Sequence, residues 1–522
     1  MVSNARRSIF SIPSELSHLF YSGLYVVRSD TGLSMTGRTK LVARILWARI
    51  KIALWGRGLG RTVATGDAHG RLGFRPLAVL FLFVIACLLG GGSWSVAATV
   101  GVHEGVASCG GSTCHSRPVA DGPVVRQNEL VTWQDSYGPA GAHSRAWRVL
   151  TEPRAQAIAQ RLGLGPAQKA RECLGCHSDA APAGLRGERF QTSDGVGCES
   201  CHGGSGGWLA SHYAVGATHA GNIAAGMTAL DDPKVRAELC LDCHFGSAKD
   251  GQFVSHQLMS AGHPRLAFEL DLFTELQRHH TVDADYVARG KIVAGGVKTW
   301  ALGQTFALQR ALTLFSDARF GQNGAFPEFY FFDCRSCHRA FSDASSARPS
   351  AVANPGRSIP SGTPPFNDEN MILLSAAARA AAPQLAARLE SDSVAFHAAL
   401  AKDRPGAVRA AGALAADART LESAFRGRAF SRAETLAILS QVLSDASGAR
   451  YTDYQGGAQA VMAVDTLLSA IAAGSASDHA AVAAIRPDID RAYQAVQDAN
   501  TYSQADLRKA LARIAVAAEG MR

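Results

Sequence analysis

Ten of the eleven cysteines fall into five close pairs, and a histidine follows each pair directly. Four pairs have the spacing Cys-x-x-Cys-His, for which this composition gives a random expectation of roughly 0.01 occurrences. The repeated pattern therefore indicates a shared chemical role. The fifth pair has a longer spacer, in the sequence CGGSTCH. In chain order the five groups are Cys109/Cys114/His115, Cys173/Cys176/His177, Cys198/Cys201/His202, Cys240/Cys243/His244 and Cys334/Cys337/His338.

Two thiols separated by about one short turn can each add to a vinyl group of the same haem and form two thioether bonds. The histidine that follows then ligates the iron on its proximal side. The pattern predicts five covalently attached haem c groups and five proximal histidine ligands. Covalent attachment also explains how a chain with only 7% aromatic residues forms a core, because the porphyrins fill much of it.

Paired cysteines have two other common uses, zinc coordination and disulfide formation. A zinc ribbon does not need the histidine that follows every pair here, and four matched motifs argue against disulfides at the short spacing. A disulfide between Cys109 and Cys114 remains the alternative for the first group. Gly110 and Gly111 would let its longer loop bulge and still bring both sulfurs to one haem.

Eight further histidines lie between residues 103 and 338, and bis-histidine ligation of five irons needs five of them. Methionine ligation raises the haem potential, but this stretch contains only Met227 and Met259. Most irons are therefore predicted to be low-potential bis-histidine centres. The predicted distal ligands are His103, His143, His212, His256 and His263, with His219, His279 and His280 as reserves.

The stretch from residue 103 to residue 338 provides about 47 residues for each haem. Haems at that density must lie near one another and form a chain of redox centres. Electron transfer is therefore the function that the motifs favour first.

An apolar run of thirteen residues, Leu77 to Leu89, follows Arg71 and Arg75. It matches the hydrophobic region of a secretory signal better than a bilayer span. Residues 76–99 are predicted to be a cleaved signal peptide, with an uncleaved inner-membrane anchor or a lipoprotein signal at Cys87 as alternatives. Because the positive residues precede the run, each alternative exports the bulk of the chain to the periplasm.

The net charge of +8 is concentrated in residues 1–75, which hold 12 basic and 3 acidic residues. This extension is interpreted as the product of a mispredicted start codon, or else as an extra helix at a membrane surface. The rest of the chain is close to neutral, which argues against nucleic acid as a partner. The mean hydropathy of +0.01 excludes a polytopic membrane protein.

The carboxy-terminal third contains no haem motif. Residues 346–366 are rich in Ser and Pro and are predicted to be a linker. Residues 367–522 are predicted to form an Ala-rich bundle of five or six helices. Asn367 is expected to cap the first helix, which would run to about Leu389, and Ser431-x-x-Glu434 is a capping box.

Three stretches resemble multihaem cytochromes of the cytochrome c-554 type, a group related to hydroxylamine oxidoreductase and the pentahaem nitrite reductases. They read GVGCESCHGGSGGWLASH, HQLMSAGHPRLAFEL and FPEFYFFDCRSCHRAF. The resemblance covers about residues 100–345, predicted as the haem domain. It implies a mainly α fold with long loops and stacked haems, and a role in electron transfer or in the reduction of small nitrogen compounds.

The sequence departs from these relatives in its motifs. It has five where the cytochrome c-554 type has four and hydroxylamine oxidoreductase has eight, and no site ends in the lysine typical of nitrite reductases. These departures weaken both enzyme assignments. The first hypothesis is a periplasmic electron carrier whose partners are other cytochromes, a quinol-linked donor or a terminal reductase.

The second hypothesis is an oxidoreductase with one open haem that acts on nitrite, hydroxylamine or nitric oxide. His263 and Arg265 could supply a proton and a positive charge near such an iron. Arg265 could equally pair with a haem propionate. A purely structural helical protein would leave the five motifs unexplained.

Overall fold

A computed structural model describes residues 101–118, 126–320, 328–334, 338, 364–448, 450–451, 453–499 and 501–522. The predicted extension and signal segment, Cys337 and nearly all of the predicted linker lie outside these ranges. In the described ranges, no helix is both long enough and apolar enough to cross a membrane.

The described part of the chain is mainly helical and contains no strand, which confirms the mainly α fold class. Before residue 290 the helices are short and are joined by loops. Such short helices have little stability alone and depend on tertiary contacts. They are α1 (Val106–Cys109), α2 (Glu129–Trp133), α3 (Pro153–Arg161), α4 (Arg171–His177), α5 (Cys198–His202), α6 (Leu209–His212), α7 (His219–Ala224), α8 (Pro233–His244), α9 (His256–Ser260), α10 (Leu270–Leu276) and α11 (Ala284–Ala288).

A long buried helix, α12 (Gly296–Ser316), follows the short ones. It is apolar nearly all round, as expected of a helix surrounded by protein. It packs against α8 of the haem-motif region and against a helix of the carboxy-terminal third, Arg404–Arg426. The long helix therefore connects the two parts of the chain through side-chain packing.

The described residues after 363 form seven helices, rather than five or six. They are α13 (Glu369–Ala381), α14 (Pro383–Leu400), α15 (Arg404–Arg426), α16 (Arg432–Ser447), α17 (Tyr454–Ala472), α18 (Ala476–Ala495) and α19 (Gln504–Glu519). The capping box of Ser431 and Glu434 is confirmed at the start of α16.

The first predicted helix of the bundle was too long. It ends at Ala381, and Pro383 occupies the first turn of α14. Proline restricts the residue before it and has no N–H to continue a helix, which explains the break. Asp368 is the N-cap residue, whereas the Asn367 amide donates a hydrogen bond to the Tyr330 carbonyl.

One apolar core extends through both parts of the described chain. It includes Leu241 on α8, Trp300 on α12, Phe331 beside the last motif, and Phe396 and Leu467 in the bundle. The predicted boundary between a haem domain and a separate bundle does not coincide with a division in this core. The carboxy-terminal helices therefore cover and stabilise the region that carries the motifs.

Candidate haem-binding site

Three of the motifs end a helix. The helices α4, α5 and α8 finish at His177, His202 and His244. Residues three apart on a helix lie on one face, so both cysteines of each motif face the same side. This arrangement suits attachment of two thiols to one porphyrin edge with the histidine beneath it.

The first motif, with its longer spacer, begins at the last residue of α1 and continues as a compact turn. The amide of Cys114 donates to the Gly111 carbonyl at 2.8 Å, and the amide of His115 donates to the Cys109 carbonyl at 3.3 Å. A side chain at Gly111 would come within 3.2 Å of the Cys114 sulfur, so glycine suits this position. Cys109 and Cys114 are not bonded to each other, which leaves both thiols available for attachment.

Each of the five motif histidines has another histidine ring opposite it. The distances between ring centres fall in a narrow range, from 5.8 to 6.4 Å. The pairs are His115 with His212 at 6.1 Å, His177 with His263 at 6.4 Å, His202 with His280 at 5.8 Å, His244 with His143 at 6.0 Å, and His338 with His256 at 6.2 Å.

These distances fit a metal ion between the rings. Two imidazoles bonded to one metal at about 2 Å each bring their ring centres to about 6 Å from each other. A second observation supports the same reading: Nε2 of His280 is buried and has no hydrogen-bond partner among the described residues. A buried nitrogen without a hydrogen-bond partner is costly, and a metal ion held between the two rings would satisfy it.

Several of these imidazoles are oriented through Nδ1. His177 bonds the Ala146 carbonyl through Nδ1 at 2.9 Å, and His263 bonds the Pro264 carbonyl at 2.7 Å. The Nδ1 of His115 bonds the Glu129 carboxylate at 2.9 Å. A bond at Nδ1 leaves Nε2 for a metal and fixes the plane of the ring, which is the usual supporting arrangement for a histidine ligand.

Burial keeps most of these histidines neutral, the form that ligates a metal. It lowers the pKa of His202 and of His244 to about 3, and it lowers the pKa of His143 and His177. His115 is the exception, because its hydrogen bond to the Glu129 carboxylate raises its pKa.

The geometry does not support the choice of His103 as a distal ligand. Its Nδ1 bonds Asp179 at 2.7 Å, which would leave Nε2 for a metal, but within the described residues no motif histidine faces its ring. His280, held in reserve by the sequence argument, lies opposite His202 instead. No local signal separates the two, since both are histidines near a motif and the pairing depends on the tertiary fold.

Two other reserve histidines are engaged differently. Nε2 of His219 bonds the Asp231 carboxylate at 3.0 Å, so that nitrogen is occupied. His279 lies beside His280, with ring centres 4.3 Å apart, and its Nδ1 bonds the Gln277 carbonyl. A ring nitrogen of His279 lies within 4.8 Å of ring nitrogens of His202 and His280, but His280 is the histidine whose ring faces His202.

Cysteines of different motifs also meet. Cys109 interacts electrostatically with Cys198, and Cys176 interacts electrostatically with Cys243. Cys201 interacts electrostatically with Cys240. The first motif therefore lies against the third, the second against the fourth, and the third close to the fourth.

A family model described as "Cytochrome c554 and c-prime" matches residues 109–203. This segment includes the first three motifs and His143, but it is well under half of the chain. No curated protein and no solved structure matches the sequence. Over that segment the chain is similar to a c-type cytochrome, which supports covalently bound haem c and a role in electron transfer.

Proposed function

We propose that this protein is an exported pentahaem c-type cytochrome that passes electrons between respiratory redox partners. The observation that carries the proposal is the histidine ring 5.8 to 6.4 Å from each motif histidine. Five such pairs match five attachment motifs one to one. A protein that uses all its irons as six-coordinate centres carries electrons and does not bind a substrate at iron.

The chain's own residues have three tasks in this proposal. The ten motif cysteines, Cys109 to Cys337, hold the haems covalently. His115, His177, His202, His244 and His338 are the proximal ligands, and His212, His263, His280, His143 and His256 are their respective distal partners. A bound haem supplies an iron that exchanges one electron at a time between its ferric and ferrous states.

The protein around the ligands keeps water away and holds each ring still. Burial lowers the pKa of His202 and His244, and the hydrogen bonds to Ala146 and Pro264 orient the facing imidazoles of His177 and His263. A site that moves little between oxidation states suits rapid electron exchange. The bundle contributes by burying this region in a shared apolar core.

The alternative of an enzyme with one open haem has less support. It requires a motif histidine without a histidine opposite, whereas all five have one. The Arg265 guanidinium, a candidate for substrate charge stabilisation, is instead committed to the Tyr330 carbonyl at 2.8 Å.

The location and partners follow from the sequence argument. The segment 76–99 would direct the chain to the periplasm, either as a cleaved signal or as an inner-membrane anchor. A quinol-linked donor, another cytochrome or a terminal reductase would then exchange electrons with it. The near-neutral body of the chain gives no reason to expect nucleic acid.

Electron paramagnetic resonance of the oxidised protein, combined with a pyridine haemochrome count, tests the proposal. The expected result is five haems for each chain and only low-spin ferric signals. A stoichiometric high-spin signal would reveal an open iron and support the enzyme alternative. A count of four would leave Cys109 and Cys114 without a haem and overturn the pentahaem assignment.

A further inference from the structure

Two candidate distal ligands lie on one short segment of chain. His256 opens α9 and faces His338 of the fifth motif, and His263 follows α9 and faces His177 of the second motif. We name residues 256–265 the bridging segment. Because its two histidines are seven residues apart, the second and fifth motifs must be close neighbours.

The bridging segment is anchored from the side of the second motif by α3. Arg161 donates to the Ala261 carbonyl at 2.8 Å, and Arg154 donates to the Gly262 carbonyl at 3.0 Å. Gly262 has a φ of +114°, a conformation that residues with a side chain rarely adopt. The turn that carries His263 is therefore held in one geometry.

Arg265 anchors the other side of the segment to the fifth motif. Its Nη1 donates to the Tyr330 carbonyl at 2.8 Å and lies 3.5 Å from the Phe332 carbonyl. The same nitrogen is 4.0 Å from the sulfur of Cys334, a predicted attachment residue. The guanidinium also stacks over the Tyr330 ring, 4.7 Å from its centre.

A buried carboxylate lies on the bundle side of this arginine. Glu369 is 7% exposed, and its Oε2 has no hydrogen-bond partner among the described residues. It interacts electrostatically with Arg265. The positive charge of Arg265 therefore lies between the buried Glu369 carboxyl group and the Cys334 sulfur, which would attach the fifth haem.

We propose that Arg265 is a positioning residue for electron exchange between the second and fifth haems. Its hydrogen bonds hold the turn of His263 against the fifth attachment motif, and its charge favours the reduced state of the fifth haem. This inference rests on the proposed electron-transfer function. The bridging segment and the contacts among the motif cysteines together give the spatial order of the haems as first, third, fourth, second and fifth. The fifth haem is therefore at one end of the series.

The transfer step itself is balanced without a co-reactant. One electron leaves a ferrous iron and reduces a ferric iron, and no bond forms or breaks. Arg265 does not take part in the exchange. It stabilises the added electron because a fixed positive charge favours the more negative state of a neighbouring centre.

The test is a potentiometric titration of the full-length holoprotein and its variants Arg265→Met, Arg265→Lys and Arg428→Met. Arg428 is a matched control, since it also donates to a backbone carbonyl, that of Ala381, but within the bundle. Arg265→Met should move one of the five one-electron steps to lower potential. Arg265→Lys should keep that step near its original potential, and Arg428→Met should move none.

Electron paramagnetic resonance gives an independent readout. Both Arg265 variants should alter the low-spin signal of the His177/His263 centre, because the turn is no longer held by a planar guanidinium. Five unmoved potentials in a folded Arg265→Met protein would overturn the inference. If that variant does not fold, an unaltered low-spin signal in Arg265→Lys would overturn it instead. A wild-type haem count below five would count against the proposed function itself.

Discussion

The imidazoles of His202 and His280 face each other with ring centres 5.8 Å apart and planes at 84°. His202 ends a short helix that carries a motif, whereas His280 lies in a loop after α10, almost eighty residues later. Nε2 of His280 has no partner in the described part of the chain. The contact selects one histidine among eight as the candidate distal ligand of the third haem.

Replacement of His280 should open that iron. We expect His280→Ala to convert one of five low-spin haems to a high-spin form, seen in the electron paramagnetic resonance of the oxidised protein. His103→Ala is the matched control, because no motif histidine faces the ring of His103 among the described residues. A high-spin signal in the His103 variant, with none in the His280 variant, would reverse the assignment.

The first motif should carry a haem despite its longer spacer. The turn from Cys109 to Cys114 is held by backbone hydrogen bonds, and no disulfide joins its two thiols. We expect the double variant Cys109→Ser/Cys114→Ser to fall from five haems to four in a pyridine haemochrome assay. Cys87→Ser, outside the motifs, should retain five. An unchanged count in the double variant would show that this pair holds no haem.

The sequence was most informative where chemistry depends on neighbouring residues. Attachment cysteines and proximal histidines lie within a few positions of each other, so their pattern can be recognised from the sequence without knowledge of the fold. Distal ligands come from elsewhere in the chain, and their pairing depends on tertiary packing. For this reason His103 and His280 could not be told apart in advance.

The architecture was predictable at the level of helix content and less so at its boundaries. The capping box at Ser431 gives a local signal, and the helix forms as expected. The Ala-rich stretch around Pro383 hides a break, because proline is also compatible with the first turn of a new helix. The shared core could not be predicted from the sequence. The apolar pattern of α12 shows that the helix is buried, but it does not show whether haems or the helices of the bundle bury it.

Glu369 should make the stability of the protein depend on pH. Burial raises its pKa to about 7, with nearby Asp453 and Asp368 acting in the same direction and Arg265 opposing them. A carboxyl with a raised pKa in the folded state stabilises the fold fully below its unfolded pKa of about 4.5. That contribution is lost as the pH rises toward 7, by up to about 3 kcal/mol.

The matching experiment compares denaturant unfolding at pH 5 and pH 7.5 for the wild type and Glu369→Gln. The wild type should lose stability at the higher pH, and the variant should lose less, because its side chain does not ionise. Glu519→Gln, an exposed change near the carboxy terminus, should behave as the wild type does. Equal pH dependence in all three proteins would mean that Glu369 is already ionised at pH 5.

Phe315 should couple the stability of the bundle to that of the fifth motif. It is 1% exposed, and its ring centre lies 5.9 Å from Phe331, 5.7 Å from Phe366 and 5.5 Å from Phe396. These residues belong to the last motif region, the start of the bundle and α14. Phe315→Ala should cost about 3 to 5 kcal/mol of unfolding free energy because it leaves a cavity in the shared core.

Unfolding of this variant should be followed by far-ultraviolet circular dichroism and by the haem absorbance together. Because one core joins the two parts, both signals should shift to lower denaturant by the same amount. Val516→Ala, at a position 73% exposed, should change neither by more than about 0.5 kcal/mol. If the circular dichroism midpoint falls while the haem signal keeps its wild-type midpoint, the bundle unfolds as an independent domain and the shared core does not couple them.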